Sequence, residues 1–240
     1  MIAPTGGGWQ ARVVPPVDAV LRAAAQLGPF CAVDADAGPG AVDLADGRRL
    51  LDTRAAAVSA VLGPAAGSRE VQSLVHLGVV ARVLSPALGA ALVTGVLPVP
   101  GTVVLQPAGS NPVPMAWSGV HGVAVGTPED VAAALVEHWL GPLVGPWSEA
   151  VATRSVSRRV LTGNVVSALN GTAVVVGGAR PDLAPHARAV LDALLARGPL
   201  SGTGGWRPDG GFARRSCCLL HRLPGARPCA DCVLVPPLAR

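Results

Sequence analysis

The chain has 240 residues, half of them hydrophobic, and a formal net charge of +4 in which all 19 basic residues are arginine. The absence of lysine excludes P-loop nucleotidases, Schiff-base enzymes and protein kinases, whose chemistry depends on a lysine. Residues 1–211 carry 14 arginines and 14 acids, so the excess positive charge lies in residues 212–240. The chain has two Phe and no Tyr, and no aromatic residue lies between the arginines of this basic segment, so we expect no nucleic-acid partner.

The apolar content raises the question of a membrane span. Residues 83–128 contain no Asp, Glu or Arg, but prolines and glycines divide this stretch into pieces shorter than the roughly 20 apolar residues that a span needs. The first 12 residues lack a basic region followed by an apolar one, so we expect no secretory signal. We therefore expect no stable membrane span and a cytoplasmic location, where clustered cysteines favour metal binding over disulfides.

Apolar residues at helical spacing predict three helices in the first part of the chain, over residues 17–27, 50–62 and 68–83. The third helix should end near Ser85, because the residue before a proline is disfavoured in the helical conformation. A short helix over residues 86–94 would then follow Pro86.

The pattern changes after residue 101. Three β-rich runs separated by turn residues predict a small antiparallel sheet, over residues 102–106, 113–117 and 122–125. Thr127 followed by Pro128 and two acids is typical of a helix start, and this helix should run to about residue 139. Helical spacing returns in three later segments, over residues 147–156, 158–169 and 183–197.

These elements predict an α+β fold: a predominantly α-helical domain with a small antiparallel β-sheet and a C-terminal cysteine module. The glycine-rich residues 201–211 are typical of a linker. The sequence therefore predicts a division into residues 1–205 and residues 206–240.

Four of the five cysteines lie in the last 30 residues, as an adjacent pair, ten intervening residues and a C-x-x-C: Cys217, Cys218, Cys229 and Cys232. Four converging thiolates can bind a [2Fe-2S] cluster or a structural zinc ion. A zinc site could instead use Cys218, His221, Cys229 and Cys232, which leaves Cys217 spare. Adjacent cysteines are an unusual zinc chelate because neighbouring side chains tend to diverge. The spacing therefore favours the cluster.

Arginines surround these cysteines in the sequence, at positions 214, 215, 222 and 227. Their positive charge would favour the more negative, reduced state of a cluster and so raise its reduction potential. The fifth cysteine, Cys31, stands alone and is expected to be a buried apolar thiol.

Residues 214–219, 222–225 and 229–234 resemble the C-terminal signature of the FhuF family of ferric siderophore reductases, whose C-C-x10-C-x2-C segment binds a [2Fe-2S] cluster. Weaker similarities lie upstream, in residues 161–169 and 82–88. The resemblance is therefore specific only near the C-terminus.

The resemblance implies an FhuF-like α-rich domain over residues 1–205 and a [2Fe-2S] module over residues 206–240, with the four clustered cysteines as ligands. It implies an oxidoreductase that transfers one electron to a ferric siderophore, so that Fe(II) is released. No catalytic residue beyond the cluster is expected. The chain departs from the family pattern at Leu220-His221 and at Ala230, where the family often has aromatic residues and a glycine. His221 could donate a hydrogen bond to a cluster sulfur.

The sequence has no motif for a flavin or nicotinamide site, so the electron should come from an outside donor such as a ferredoxin or its reductase. The other histidines are expected to be structural: His76, His121, His138 and His186. Two other functions remain open, a non-enzymatic zinc-stabilised interaction module and an iron–sulfur redox sensor.

Overall fold

The structure is a computed structural model that describes residues 15–109 and 111–235. The expectation about a secretory signal falls outside these residues, as do residues 236–240 of the predicted cysteine module. The structure is 56% helical with small antiparallel sheets, which confirms the predicted α+β class.

The described part of the fold contains seven α-helices: α1 (Val17–Ala25), α2 (Gly47–Leu62), α3 (Ser68–Thr94), α4 (Pro128–Leu135), α5 (Gly145–Ala152), α6 (Arg158–Ala179) and α7 (Ala184–Ala196). Seven short strands accompany them: β1 (Val42–Asp43), β2 (Val96–Val99), β3 (Thr102–Leu105), β4 (Met115–Ser118), β5 (His121–Ala124), β6 (Gly204–Trp206) and β7 (Phe212–Arg214). A π-helical stretch, Val136–Val144, joins α4 to α5.

Helices α3 and α6 pack against each other over most of their length and form the centre of the molecule. Both are long and apolar enough to cross a membrane by length and composition, but 72% and 56% of their most apolar windows are buried inside the fold. Core helices of globular proteins have the same character. The apolar character of α3 and α6 therefore agrees with their position in the core.

Helix α3 shows that the predicted helix end at Ser85 was wrong, because the helix continues through Pro86 to Thr94. Proline costs this helix one backbone hydrogen bond, at the carbonyl of Arg82. The neighbouring carbonyl of Ala81 accepts a bond from the Ser85 hydroxyl at 2.6 Å. Residues 83–92 are buried throughout, and the burial of so much apolar surface outweighs the one lost hydrogen bond.

The β-structure consists of three separate sheets among the described residues, and not of the single sheet expected from the sequence. Strand β3 pairs with both β1 and β4, whereas β5 pairs with β2, and all these pairings are antiparallel. The sequence-based prediction missed β1 and β2. Strand β1 has only two residues, and β2 is buried on both faces and therefore lacks the polar–apolar alternation that signals a strand.

The helix start predicted at Thr127 is confirmed as a capping box, in which the Thr127 hydroxyl accepts from the Asp130 amide and the Asp130 carboxylate accepts from the Thr127 amide. Helix α6 is longer than predicted and reaches Ala179 despite four glycines after residue 162. Gly163 and Gly177 closely approach neighbouring elements, so packing requires small residues in this helix. Packing has therefore overridden the low helical propensity of glycine.

Strands β6 and β7 form a hairpin through which the chain enters the cysteine segment. The predicted domain boundary at residues 205 and 206 falls inside β6. Part of the glycine-rich segment that resembles a linker is therefore paired backbone, and β7 lies against α6.

Candidate metal centre

The cysteine segment follows directly after β7 and is folded by two tight backbone features. Leu219 has a left-handed backbone with φ of 70°, and a 3-10 turn follows at Leu220–Arg222. A turn lies at Pro224-Gly225, where Gly225 has φ of 69° and the Ala226 amide donates to the Leu223 carbonyl at 3.1 Å. These two reversals return the chain so that the second cysteine pair approaches the first.

The reversals bring two of the four predicted ligands into contact. The Sγ atoms of Cys218 and Cys229 lie 3.6 Å apart. Two thiolates on one tetrahedral metal ion, each with a metal–sulfur bond of about 2.3 Å, would lie roughly 3.8 Å apart. Within residues 15–109 and 111–235, no three His, Cys, Asp or Glu side chains are arranged as a metal site. The assignment of all four cysteines as ligands therefore stays a prediction.

The other two cysteines have different neighbours. Cys217 Sγ lies 3.1 Å from His221 Nδ1 and accepts from the Leu219 amide at 3.3 Å. Cys232 Sγ accepts from the Leu234 amide at 3.4 Å. His221 thus contacts Cys217, the residue that the alternative zinc set would leave out.

Arg214 is the main charged partner of this segment. Its side chain is fully buried, and its guanidinium donates to Cys229 Sγ at 2.9 Å and lies 3.4 Å from a carboxylate oxygen of Asp231. The Arg214 amide also donates to the Asp231 carbonyl at 3.1 Å. A buried charge is stable only when it is paired, so Asp231 and the thiol groups must together balance this arginine.

The helical domain holds Arg214 from the other side. The Asn164 side chain of α6 accepts from the Arg214 guanidinium at 2.9 Å and donates to the Ser73 carbonyl of α3 at 3.0 Å. The Ser73 hydroxyl then donates to the Cys218 carbonyl at 2.8 Å. One continuous set of buried hydrogen bonds therefore ties both contacting cysteines to the two central helices.

The charges around the sulfur pair change the acidity of its members. A hydrogen bond from Cys229, together with the nearby Arg214 charge, lowers the pKa of the Cys218 thiol to about 6. The pKa of Cys229 is raised, because its hydrogen bond to Cys218 and its burial both favour the protonated thiol. A thiolate is the form of cysteine that binds metals, so the site already favours this form at Cys218.

Gly163 allows the segment to sit against α6. A Cβ atom at this position would lie 1.9 Å from the Ser216 hydroxyl oxygen, which is far closer than real contacts allow. Gly163 and Asn164 are neighbours in α6, so one helical turn supplies both the space for Ser216 and the hydrogen bond to Arg214.

Burial also determines the surroundings of Cys31 and His76. Cys31 is buried, as predicted, and desolvation raises the pKa of its thiol to about 11. His76 is buried beside Trp147, with its ring 2.9 Å from the Ser148 hydroxyl, and desolvation lowers its pKa to about 3. Within the part of the chain that the structure describes, neither residue belongs to a group of three or more potential metal ligands.

The residues present fit a [2Fe-2S] cluster in donor chemistry. Four cysteines are available, two sulfurs already lie at the distance expected for ligands of one iron, and Arg214 supplies positive charge. Backbone amides donate to Cys217 and Cys232, and such N–H···S bonds stabilise thiolate sulfur.

Four residues of this site were not predicted from the sequence: Arg214, Asn164, Ser73 and Asp231. Arg214 is one of four arginines near the cysteines in the sequence, but among the described residues it is the only arginine that donates to a cysteine sulfur. Asn164 lies within residues 161–169, which show only a weak family similarity. Asparagine in the middle of an apolar helix was the available signal, because a buried amide needs hydrogen-bond partners.

The site defines a protein with a cysteine segment suited to an iron–sulfur cluster, held by hydrogen bonds to helices α3 and α6. Residues 214–234 match the family model of the FhuF 2Fe-2S C-terminal domain. The match begins at Arg214 and includes all four cysteines, and it confirms the resemblance predicted from the cysteine spacing. No curated protein matches the chain.

Proposed function

We propose that this protein is a ferric siderophore reductase, an oxidoreductase that transfers one electron to an Fe(III)-siderophore and so releases Fe(II). The observation that carries this proposal is the match of residues 214–234 to the FhuF 2Fe-2S C-terminal domain. We propose Cys217, Cys218, Cys229 and Cys232 as the cluster ligands, residues 206–240 as the module and residues 1–205 as the FhuF-like domain. The location would be the cytoplasm.

The bound cluster would supply one-electron chemistry, taking an electron from an outside donor such as a ferredoxin or its reductase and passing it to the ferric chelate. Outer-sphere transfer requires no general acid or base, which agrees with the expectation of no further catalytic residue. The protein must instead hold its cysteines rigidly and leave one side of the bound cluster accessible to the electron donor and to the ferric chelate. Cys218 and Cys232 are buried, whereas Cys217 and Cys229 are only half-buried, so the latter two mark the accessible side.

The residues around the cysteines would favour the reduced state of a bound cluster. The Arg214 guanidinium at Cys229 and the Leu219 and Leu234 amides at Cys217 and Cys232 would stabilise the negative charge that one added electron brings. Asn164 fixes the direction of the guanidinium. A raised reduction potential is the expected consequence, and it suits an electron carrier that accepts electrons from a common cellular donor.

The contact of His221 with Cys217 gives no support to the zinc set built from Cys218, His221, Cys229 and Cys232. Metal analysis separates the two possibilities directly, because zinc proteins are colourless. The redox-sensor alternative differs from the reductase in having no turnover with a ferric chelate.

Metal and acid-labile sulfide analysis of anaerobically purified protein tests the proposal first. We expect about two iron and two sulfide per chain, with visible absorption that bleaches with dithionite. The reduced protein, freed of dithionite and mixed with a ferric siderophore, should regain its colour while a chelator traps Fe(II). One zinc without colour, or a cluster that no ferric siderophore reoxidises, would overturn the assignment.

A further inference from the structure

A small cavity is formed in part by the two residues that precede the adjacent cysteine pair. It has a volume of about 250 Å³ and is lined by residues of α6, of the loop before β6 and of the segment after β7: Arg159, Gly202, Thr203, Arg215 and Ser216. Ser216 directly precedes Cys217 and Arg215 lies two positions before it, so at most about 7 Å of chain separates these wall residues from the first cysteine.

Hydrogen bonds between its walls fix the shape of this cavity. The Arg159 guanidinium donates to the Arg215 carbonyl at 3.0 Å, and the Arg215 amide donates to the Thr203 carbonyl at 2.7 Å. Ser216 is buried, and its hydroxyl oxygen has no hydrogen-bond partner among the residues that the structure describes. These hydrogen bonds use only backbone groups of Arg215, so its guanidinium takes no part in holding the cavity walls together.

The cavity is positively charged. Across residues 15–109 and 111–235, neither Arg159 nor Arg215 has a carboxylate within ion-pair distance, whereas their neighbour Arg158 is paired with Glu149 at 2.5 Å. Arg159 also stands in the first turn of the 22-residue helix α6, where the helix dipole adds positive potential. Its guanidinium uses one of five N–H groups in the contact with Arg215.

We infer that this cavity binds a carboxylate group of an anionic ferric chelate and thereby positions the chelate beside the cysteine pair. Two guanidinium groups match a carboxylate by charge and by their planar, bidentate hydrogen-bonding geometry. The cavity is too small for a whole siderophore, so it would hold one arm of a carboxylate-bearing chelate. This inference rests on the proposed reductase function and adds the substrate class to it.

Binding of gallium citrate tests the inference without electron transfer, because Ga(III) resembles Fe(III) in charge and size but is not reduced. Isothermal titration calorimetry would compare the iron-loaded protein with Arg159→Gln/Arg215→Gln and with the control Arg158→Gln. We expect saturable binding that is at least about tenfold weaker in the double variant, and unchanged in the control. The Arg159→Lys/Arg215→Lys protein should recover part of the affinity, because it restores the charge. Equal binding by all variants, or no binding by the parent protein, would overturn the inference.

Reoxidation of the dithionite-reduced protein separates this inference from the proposed function. Ferric citrate, an anionic chelate, should lose at least about tenfold in its second-order rate with the double variant, whereas the neutral ferric acetohydroxamate complex should not. If both complexes reoxidise all variants equally, the cavity has no role and the reductase proposal stands. If neither complex nor any siderophore reoxidises the protein while gallium citrate binding depends on the two arginines, the reductase proposal fails and the anion site stands.

Discussion

The Arg214 guanidinium donates a hydrogen bond to Cys229 Sγ at 2.9 Å inside the protein. These residues are 15 positions apart, and the same guanidinium reaches Asn164, 50 positions away in the helical domain. One buried side chain therefore joins the candidate metal centre to the core of the fold. Burial alone would lower the pKa of Arg214, but Asp231 and the thiols outweigh it and raise the pKa.

Replacing Arg214 with Gln should destabilise the protein by about 3–5 kcal/mol, because Asp231 would remain buried without its counter-charge. The reduction potential of the cluster should fall as well, since a positive charge and an N–H···S bond are lost. Chemical denaturation and a spectroscopic redox titration measure the two effects. The double variant Arg214→Gln/Asp231→Asn should recover part of the stability but not the potential. The exposed Arg227→Gln should change stability by less than about 0.5 kcal/mol, and an equal effect of the two arginines would contradict the role of Arg214.

Cys229→Ser should abolish or severely reduce cluster binding while leaving the far-ultraviolet circular dichroism largely intact, because the helices are formed by other residues. Cys31→Ser is the matched control, since Cys31 is also a buried cysteine and lies outside the predicted ligand set. Iron and sulfide analysis of both variants provides the measurement. A normal visible spectrum from Cys229→Ser protein would remove Cys229 from the ligand set.

The His221→Ala substitution tests whether His221 is itself a metal ligand or only contacts the predicted ligand Cys217. We expect iron and sulfide contents to match those of the parent protein, because His221 contacts Cys217 and is not one of the four predicted ligands. The reduction potential should fall if the ring donates to the sulfur. Loss of bound metal from the His221→Ala protein would instead favour the zinc set that contains this histidine.

Two glycines of α6 should respond to alanine in opposite directions. Gly163→Ala should destabilise the protein by about 1–3 kcal/mol, because the new Cβ would overlap with the Ser216 hydroxyl. Gly171→Ala should stabilise it by about 0.5–1 kcal/mol, because a methyl group added at this exposed helical position would meet no other part of the protein within 4 Å. Unfolding midpoints measure both effects.

A second substitution tests why Gly163→Ala should destabilise the protein. Adding Ser216→Gly to Gly163→Ala removes the overlapping side chain and should restore most of the lost stability. If the double variant is as unstable as Gly163→Ala alone, the loss has another origin than the contact with the cysteine segment.

His76 should make stability fall in acid. Its pKa is about 3 in the folded protein because of burial, against about 6.5 in an unfolded chain. Between these two pKa values the unfolded state binds more protons than the folded state. The contribution of neutral His76 to the free energy of unfolding is therefore complete above pH 6.5 and is lost as the pH falls below it. The slope approaches about 1.4 kcal/mol per pH unit for one proton.

Urea denaturation between pH 7 and pH 5 measures this slope. His76→Gln protein should show a shallower dependence than the parent, whatever its stability at pH 7. The exposed His121→Gln should keep the parent slope. Identical slopes in all three proteins would show that His76 does not stay neutral in the folded state.

The sequence predicted the cysteine segment because its signal is local. Four cysteines within 16 positions supply the sulfur atoms that can bind a metal, and the turn at Pro224-Gly225 reverses the chain between the two cysteine pairs. Neither feature depends on the rest of the chain. The helix start at Thr127 was also predictable from the sequence, since a capping box forms within four residues. The predicted end of α3 at Ser85 was wrong because a local proline rule was applied to a helix that is stabilised by burial.

Only the tertiary structure decided what surrounds the cysteines. The bonds from Ser73 to Cys218 and from Asn164 to Ser73 join residues 145 and 91 positions apart. No pattern within a sequence window encodes such partners, because they depend on how α3 and α6 pack. The same packing separates two otherwise similar arginines, burying Arg214 against Cys229 and leaving Arg215 exposed at the cavity. Residue spacing thus determines which chemistry the chain can carry, and packing determines which charges act on it.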